Sequence, residues 1–185
     1  MTAESFELHT PRLLLRPLLD TDAKTLCAYR SLPEVARFQS WERFDARDAA
    51  RLLAGQAGLA PDTPGTWFQL GIVDRASGHL VGDCGLHFRA DEPQQVELGI
   101  TLDPAFQHNG FAHEALASVV DHVFGRLDKH RITAVTDADN HAAANLFRRL
   151  GFRKEAHFVE HVRFKGTWGS EFLFALLRRE WSGAM

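Results

Sequence analysis

The 185-residue chain has the length of a single domain, and a chain of that size buries enough apolar surface to fold without disulfide bonds. Its 45% hydrophobic and 24% charged residues are ordinary for a soluble globular protein and exclude a disordered chain. A formal net charge of -3 leaves no basic field over the whole molecule, so nucleic acid is not an expected partner. We therefore expect one globular domain over residues 1–185.

The first ten residues and the cysteine content indicate the compartment. Residues 1–10 (MTAESFELHT) are polar and acidic where a secretory signal would be basic and then apolar. No stretch of the chain approaches the roughly 18 apolar residues of a membrane-spanning helix. Cys27 and Cys84 are too few for a disulfide framework, so we expect reduced thiols. The chain is expected to be cytoplasmic, without a membrane partner.

The first third of the chain predicts one strand and two helices. Residues 12–18 (RLLLRPL) are compact and apolar enough for a strand, and Asp20 or Asp22 then offers an N-cap for a helix near 23–31. A second helix is predicted over residues 46–59, which are rich in Ala and Leu and carry an Asp in the first turn.

The middle of the chain predicts antiparallel sheet. Two runs, TWFQLGIVD (66–74) and HLVGDCGLHF (79–88), flank the turn-rich residues 75–78 and predict a β-hairpin. Residues 96–102 alternate between apolar and other side chains, which is the period of a strand with two unlike faces.

The last third predicts two strand–helix steps and a closing hairpin. After Gly110 apolar residues recur every three or four positions, as in an amphipathic helix. Residues 132–138 (ITAVTDA) predict a strand, and Asn140 caps a shorter helix. Aromatic and β-branched runs on either side of Lys165 and Gly166 predict a hairpin. The expected order is βααβββαβαββ, an α/β domain around a mixed, mostly antiparallel sheet.

The junction between the third of these middle strands and the long helix, LDPAFQHNGFAHEA (102–115), is the sharpest indication of a ligand site. The first turn of a helix has N–H groups without intrahelical partners and a partial positive charge, so a diphosphate can bind to its backbone. Small residues at Gly110 and Ala112 leave room for that approach. Many such turns are only structural, and neither GxGxxG nor GxxxxGK[ST] occurs in the chain.

The residues Gln107-x-x-Gly110-x-Ala112 are similar to the Q/R-x-x-G-x-G/A signature of GNAT acetyltransferases, whose loop holds the pyrophosphate of coenzyme A. Four further stretches resemble the RimJ/RimL branch, which acetylates N-terminal amines of ribosomal proteins: TPRLLLRPLLDTDA, VELGITLDPAFQHNGFAHEAL, Asn140 followed by LFRRLGF, and FKGTWGSEFLFALLRREW. The resemblance covers nearly the whole chain in family order. It implies a single GNAT domain, an N-acetyltransferase activity, acetyl-CoA as donor and no metal.

The same resemblance implies which residues contact the donor. The pyrophosphate would lie on the loop and the first helical turn: Gln107, His108, Asn109, Gly110, Phe111, Ala112 and His113. In this family the preceding strand separates from its neighbour, and pantetheine pairs with backbone groups at Ile100, Thr101 and Leu102. Asn140 would also contact the donor, although a helix N-cap explains this residue equally well.

The chain departs from the family pattern at the positions of the usual proton donors. Phe147 stands where many GNAT enzymes have Tyr, and Ala143 replaces the Ser of the RimJ/RimL branch. Water or the departing ammonium could supply the proton instead. The departure also keeps open a different class of function, a sensor that binds coenzyme A without transferring acetyl.

Glu97 is the first candidate for general base, because related enzymes use a carboxylate on this strand face to deprotonate the amine through water. A solvent-facing strand residue is the alternative. Glu160 and His161 are the second choice, since their strand borders the acceptor side in the family and an imidazole titrates at about 6.5. His157 and His161 also match the HxxEH zinc motif, but on a strand they lie roughly 13 Å apart and do not converge on a metal.

The acceptor is expected to be a primary amine, by resemblance the N-terminal α-amine of a protein or peptide. A small amine or an antibiotic is the alternative. An α-amine has a pKa of about 8 against about 10.4 for lysine, so it needs less help from a base. Direct attack without an acetyl-enzyme is expected, because the sequence shows no activated nucleophile. Whether the protein is a monomer or a homodimer stays open.

Overall fold

The computed structural model describes residues 6–183. Residues 1–5, half of the stretch from which the compartment was predicted, lie outside the described residues. The strands are β1 (Leu8–His9), β2 (Leu13–Pro17), β3 (Thr66–Asp74), β4 (Leu80–Phe88), β5 (Gln95–Leu102), β6 (Arg131–Asp137), β7 (Arg153–Phe164) and β8 (Thr167–Leu177). The helices are α1 (Ala23–Arg30), α2 (Pro33–Ala36), α3 (Ala46–Gln56), α4 (Phe111–Gly125) and α5 (His141–Arg149).

The described strands form one sheet in the order β1-β2-β3-β4-β5-β6-β8-β7. Every neighbouring pair is antiparallel except β5 and β6, which run parallel because α4 connects them. The expected mixed, mostly antiparallel α/β fold is therefore confirmed. The structure adds β1 and α2, which are two and four residues long and too short to show a periodic pattern in the sequence.

Helices cover the sheet from both sides, and strand alternation divides the apolar side chains between the two cores. In β2, Leu13 and Leu15 join the larger core with α4 and α5, whereas Leu14 between them packs on the core of α1 and α3. The period-2 pattern thus explains why one short strand supports helices on both of its faces.

The expected N-caps differ in outcome. Asp45 accepts hydrogen bonds from the N–H groups of Arg47 and Asp48 at 2.7 and 3.2 Å, so it caps α3. Asp22 precedes α1 but makes no side-chain cap, which corrects the prediction. Its carboxylate instead accepts from Arg16 Nη1 at 2.7 Å and from the N–H of Leu19 at 2.8 Å. Two guanidinium nitrogens of Arg16 bond the carboxylate, and this bidentate ion pair holds it away from the helix N–H groups.

The predicted closing hairpin is present, and its turn has the geometry that the sequence indicates. Lys165 and Gly166 both have positive φ angles, 49° and 82°, as the two central residues of a type I′ turn require. The hairpin leads β8 back beside β6, so that residues of β7 and β8 lie next to the end of β6.

Candidate active site

Strands β5 and β6 separate partway along their length. Their parallel pairing ends at Glu97 and Thr133, although both strands continue beyond that pair. A cavity of about 170 Å³ lies between the separated ends. Its lining residues come from both strands, from α5, from the segment after α2 and from the β7–β8 hairpin, and include Leu98, Gly99, Ile100, Thr136, Asn140 and Phe147. The backbone edge of β5 that faces the gap is therefore available to a ligand instead of a strand.

The loop after β5 exposes a run of backbone N–H groups at the start of α4. His108 and Gly110 both have left-handed backbones, with φ angles of 63° and 80°. Among residues 6–183, the N–H groups of 108–113 have no hydrogen-bond acceptor. Unpaired donors at the positive end of a 15-residue helix form an anion site.

A second cavity of about 310 Å³ lies against this helix start. Its lining includes Gln107, Gly110, Ala112 and His113. Ile100, Asn140 and Ala143 line both cavities, so the space between the strands continues to the anion site. Every residue that was predicted to contact the donor lies on these two cavities or next to them, with Leu102 and Phe111 lining the second one.

An ion pair that sequence reasoning missed holds this loop against the N-terminal segment. Glu114 in the first turn of α4 accepts from Arg12 Nε at 2.7 Å and from Thr10 Oγ1 at 2.6 Å. Arg12 Nη1 also donates to the carbonyl of Asn109 at 2.9 Å. Because 102 residues separate Arg12 from Glu114, no local pattern reveals the contact.

At Gly110 the structure gives two reasons for a glycine. Its left-handed backbone disfavours a side chain, and an added Cβ would lie 3.3 Å from Arg12 Nη2. The glycine therefore permits both the turn of the loop and the approach of Arg12.

The start of α5 forms the wall opposite β5. Asn140 Oδ1 accepts from the N–H of Ala143 at 3.1 Å, which confirms the predicted N-cap. Phe147 is 2% exposed and packs against Phe152 and Phe174. A phenyl ring and the methyl group of Ala143 carry no ionisable proton, so this wall offers no acid at either position.

Glu97 is half-buried on the sheet face opposite α4; it precedes Leu98, which lines the cavity between the strands, but does not line that cavity itself. It lies opposite His87 in the register of β4 and β5, and His87 stacks on Trp67 of β3 with ring centroids 5.0 Å apart. Burial raises the pKa of the Glu97 carboxyl, while His87 and Arg89 partly oppose the shift. Glu97 is therefore partly withdrawn from solvent and has a higher proton affinity than an ordinary surface glutamate.

The second-choice residues differ in position. Glu160 is exposed, has a φ angle of 47° in a bulge of β7, and does not line the cavity. His161 Nε2 lies 2.6 Å from Glu171 Oε2, and Glu171 of β8 lines the cavity. The HxxEH segment lies in strand β7, as predicted, and the ring of His157 packs against Phe172. Sequence reasoning missed Glu171, whose position beside His161 depends on the irregular register of the β7–β8 hairpin.

A third pocket of about 390 Å³ lies on the opposite face of β5. Gln39, Gly99 and Ile100 line both this pocket and the cavity between the strands. Trp41 and Trp67 contribute aromatic walls. We call this space the aromatic pocket.

The carboxylate in the aromatic pocket is already neutralised. Asp83 is 2% exposed and accepts hydrogen bonds from Tyr29 and from the guanidinium of Arg30. Burial and the neighbouring Asp83 carboxylate raise the pKa of Tyr29, so its hydroxyl remains a donor. Arg30 in turn lies over the rings of Trp41 and Phe44 at 4.7 and 4.9 Å. The pocket therefore combines aromatic surface with a charge pair of no net charge.

A parallel strand pair that opens beside a helix start with free N–H groups forms a site for an elongated ligand that carries an anionic group. Residues 12–153 match the model of the acetyltransferase (GNAT) domain family, and the chain belongs to that family. It is an N-acetyltransferase, and the GNAT fold uses acetyl-CoA.

No helix in the described part of the chain is long and apolar enough to cross a membrane.

Relatives agree with this assignment. The uncharacterized N-acetyltransferase YoaA of Bacillus subtilis is 33% identical over 161 residues, which cover 86% of this chain and 90% of that protein. A GNAT-family acetyltransferase from Bacillus anthracis has the same fold, with a TM-score of 0.86 at 22% identity over 95% of this chain and 100% of that one.

Two other solved structures share the fold but are named for different acceptors. Spermidine N-acetyltransferase from Vibrio cholerae, in complex with CoA and spermine, has a TM-score of 0.79 at 20% identity and covers 92% of this chain and 98% of its own. Ribosomal-protein-S5-alanine acetyltransferase from Vibrio fischeri has the same TM-score and identity and covers 96% and 100%. At these identities the likeness concerns the fold alone.

Proposed function

We propose that acetyl-CoA lies along the opening between β5 and β6 and that its acetyl group is transferred to the N-terminal α-amine of a protein or peptide. The observation that carries this proposal is the end of β5–β6 pairing at Glu97 and Thr133, because it creates the cavity that continues to the start of α4. The pyrophosphate binds the N–H groups of residues 108–113, with Gln107 beside them. Pantetheine pairs with the backbone of β5 at Ile100, Thr101 and Leu102, and passes Asn140.

Acetyl transfer proceeds by direct attack of the amine on the thioester. The nitrogen bonds to the carbonyl carbon, the carbon–sulfur bond breaks, and its electron pair goes to sulfur. Neither cysteine supports an acetyl-enzyme: burial raises the pKa of Cys84 well above its usual value, and burial together with Asp45 raises that of Cys27. Thiols held in the neutral form are poor nucleophiles.

Glu97 accepts the proton of the attacking amine through water. Its half-buried position and raised pKa suit a base better than a surface carboxylate would. The second candidate is His161, which reaches the cavity through Glu171, whereas exposed Glu160 has weaker support.

The chemistry of the aromatic pocket supports a peptide acceptor of the RimJ/RimL kind. A polyamine carries several positive charges and requires several free carboxylates. Among the described residues that line the aromatic pocket, Asp83 is the only acid, and Arg30 neutralises it. Trp41 and Trp67 instead offer surface to an apolar or aromatic side chain near the peptide N-terminus.

The test is an acceptor screen with release of free thiol from acetyl-CoA as readout. Peptides with free N-termini are set against N-blocked lysine peptides, polyamines and aminoglycosides. We expect turnover with N-terminal peptides only. Efficient turnover of a small amine with inert peptides would overturn the acceptor assignment. Saturable binding of coenzyme A without thiol release for any amine would favour the sensor.

A further inference from the structure

One buried hydroxyl in the cavity between β5 and β6 has no hydrogen-bond partner. Thr136 of β6 is 7% exposed, its Oγ1 is enclosed, and no donor or acceptor within residues 6–183 contacts that atom. Nearly all buried polar atoms in proteins are paired, because an unpaired one loses its bonds to water without replacement. The exception here lines the cavity that is proposed to hold the thioester.

The position of Thr136 on its strand directs the side chain to the wall that lacks an acid. Ile132 and Ala134 pack in the core with α4 and α5, and Thr136 follows on the same face by strand alternation. It lies beyond Thr133, where the pairing with β5 has ended. Ala143 and Phe147 line the same cavity, so Thr136 shares this cavity with the two side chains that have no proton to donate.

We propose that Thr136 turns about χ1 when the donor binds, so that its Oγ1–H donates a hydrogen bond to the sulfur of coenzyme A as the carbon–sulfur bond breaks. The inference rests on the proposed position of the thioester between the two strands. As the amine nitrogen bonds to the carbonyl carbon, the electron pair of the breaking bond moves to sulfur. The hydroxyl keeps its proton and stabilises the thiolate, and the proton of the amine passes through water to Glu97.

A hydrogen-bond donor is sufficient at this position. A thiol has a pKa of about 8.5, so a thiolate leaves without full protonation near neutral pH. A hydrogen bond from a neutral hydroxyl to an anionic sulfur is charge-assisted and strengthens as the charge develops. The thioester carbonyl faces the other wall, where the free backbone edge of β5 supplies donors, which leaves the sulfur to Thr136.

The first test compares two substitutions with opposite chemistry. Thr136→Val keeps the shape and removes the hydroxyl, while Thr136→Ser keeps the hydroxyl. With an acceptor from the screen, single-turnover transfer should slow by about 10- to 100-fold in Thr136→Val and stay within about threefold in Thr136→Ser. The melting temperature of Thr136→Val should equal or exceed that of the wild type, because the unpaired hydroxyl is gone. Equal transfer rates in wild type and Thr136→Val would overturn the proposal.

The second test needs no acceptor. The thiol of bound coenzyme A is titrated by the ultraviolet absorbance of its thiolate, with calorimetry to establish saturation. The bound thiol should titrate at a lower pH in the wild type and in Thr136→Ser than in Thr136→Val. If coenzyme A binds and the three titrations coincide, the role of Thr136 is wrong and the proposed function stands. If the wild type does not bind coenzyme A at all, the proposed function fails first and the inference with it.

Discussion

Arg12 and Glu114 form an ion pair, with 2.7 Å between Nε and Oε2, that fastens the segment before β2 to the first turn of α4. Burial alone would raise the pKa of Glu114, but hydrogen bonds from Thr10 and Arg12 lower it and keep the carboxylate charged. Through its second contact, to the carbonyl of Asn109, Arg12 also holds the loop that presents the free N–H groups. The anion site therefore depends on residues that do not belong to its loop.

This contact predicts that Arg12→Ala weakens binding of coenzyme A, because the loop that presents the free N–H groups loses its hydrogen bond at the carbonyl of Asn109. We expect the Kd to rise by about 3- to 10-fold and the free energy of unfolding to fall by about 0.5–1 kcal/mol, since the pair is partly exposed. Arg75→Ala is the control, because Arg75 donates to the carbonyl of Thr10 but does not contact the loop. Calorimetry that shows the same Kd for Arg12→Ala and wild type would contradict the role of the pair.

Gly110→Glu is predicted to abolish binding of coenzyme A, because the substitution adds bulk and negative charge beside the proposed position of the pyrophosphate. Gly78→Glu is a matched control: its φ angle of 72° imposes a similar backbone cost, and no heavy atom lies near an added Cβ. Both variants should lose stability in thermal unfolding, and Gly110→Glu should lose more because its Cβ also crowds Arg12. Unchanged affinity of Gly110→Glu in calorimetry would show that the loop is not the pyrophosphate site.

Because the pKa of Glu97 is raised, we expect kcat/KM to fall on the acid side of its pH profile. A protonated carboxyl accepts no proton, so kcat/KM should fall as the pH drops through a pKa above the usual range of glutamate. Glu97→Gln should lower kcat by about 10- to 100-fold at neutral pH and lose this fall on the acid side, whereas Glu97→Asp should keep it. Full activity of Glu97→Gln at neutral pH would remove Glu97 as base and leave His161 with Glu171.

The interactions of Glu155 make part of the free energy of unfolding depend on pH. Hydrogen bonds from Arg131 and Arg153 lower its pKa to about 2. Because the folded pKa lies below the unfolded value of about 4.3, the stabilisation is complete above that value and is lost as the pH falls towards 2. Glu155→Gln should lower the free energy of unfolding by about 1 kcal/mol at pH 7, after allowance for solvent screening. Denaturant titrations in which the difference persists undiminished at pH 2 would refute this origin.

The sequence predicted the longer elements of the fold because each one leaves a local pattern, such as the alternation in β5 or the Lys165-Gly166 turn between two aromatic and β-branched runs, whereas β1 and α2 were too short to leave one. It also predicted the junction after β5, where a strand, a glycine and an amphipathic helix follow one another. The cytoplasmic location and the oligomeric state stay predictions.

Side-chain contacts between different elements were not predictable in the same way. Arg16 draws Asp22 away from the N-cap of α1, and the pairing of His161 with Glu171 depends on the register of β7 and β8. The unpaired state of Thr136 Oγ1 follows from where β5 and β6 separate, which no stretch of either strand specifies alone.

Whether the acceptor is an N-terminal α-amine is tested most directly with two peptides of one sequence that contains a single lysine. One peptide has a free α-amine and a blocked lysine, and the other has a blocked N-terminus and a free lysine. Thiol release from acetyl-CoA is followed for both, and fragmentation mass spectrometry locates the acetyl group. We predict rapid acetylation of the free α-amine in the first peptide and no thiol release above background with the second peptide. Acetylation of the lysine peptide alone would contradict it.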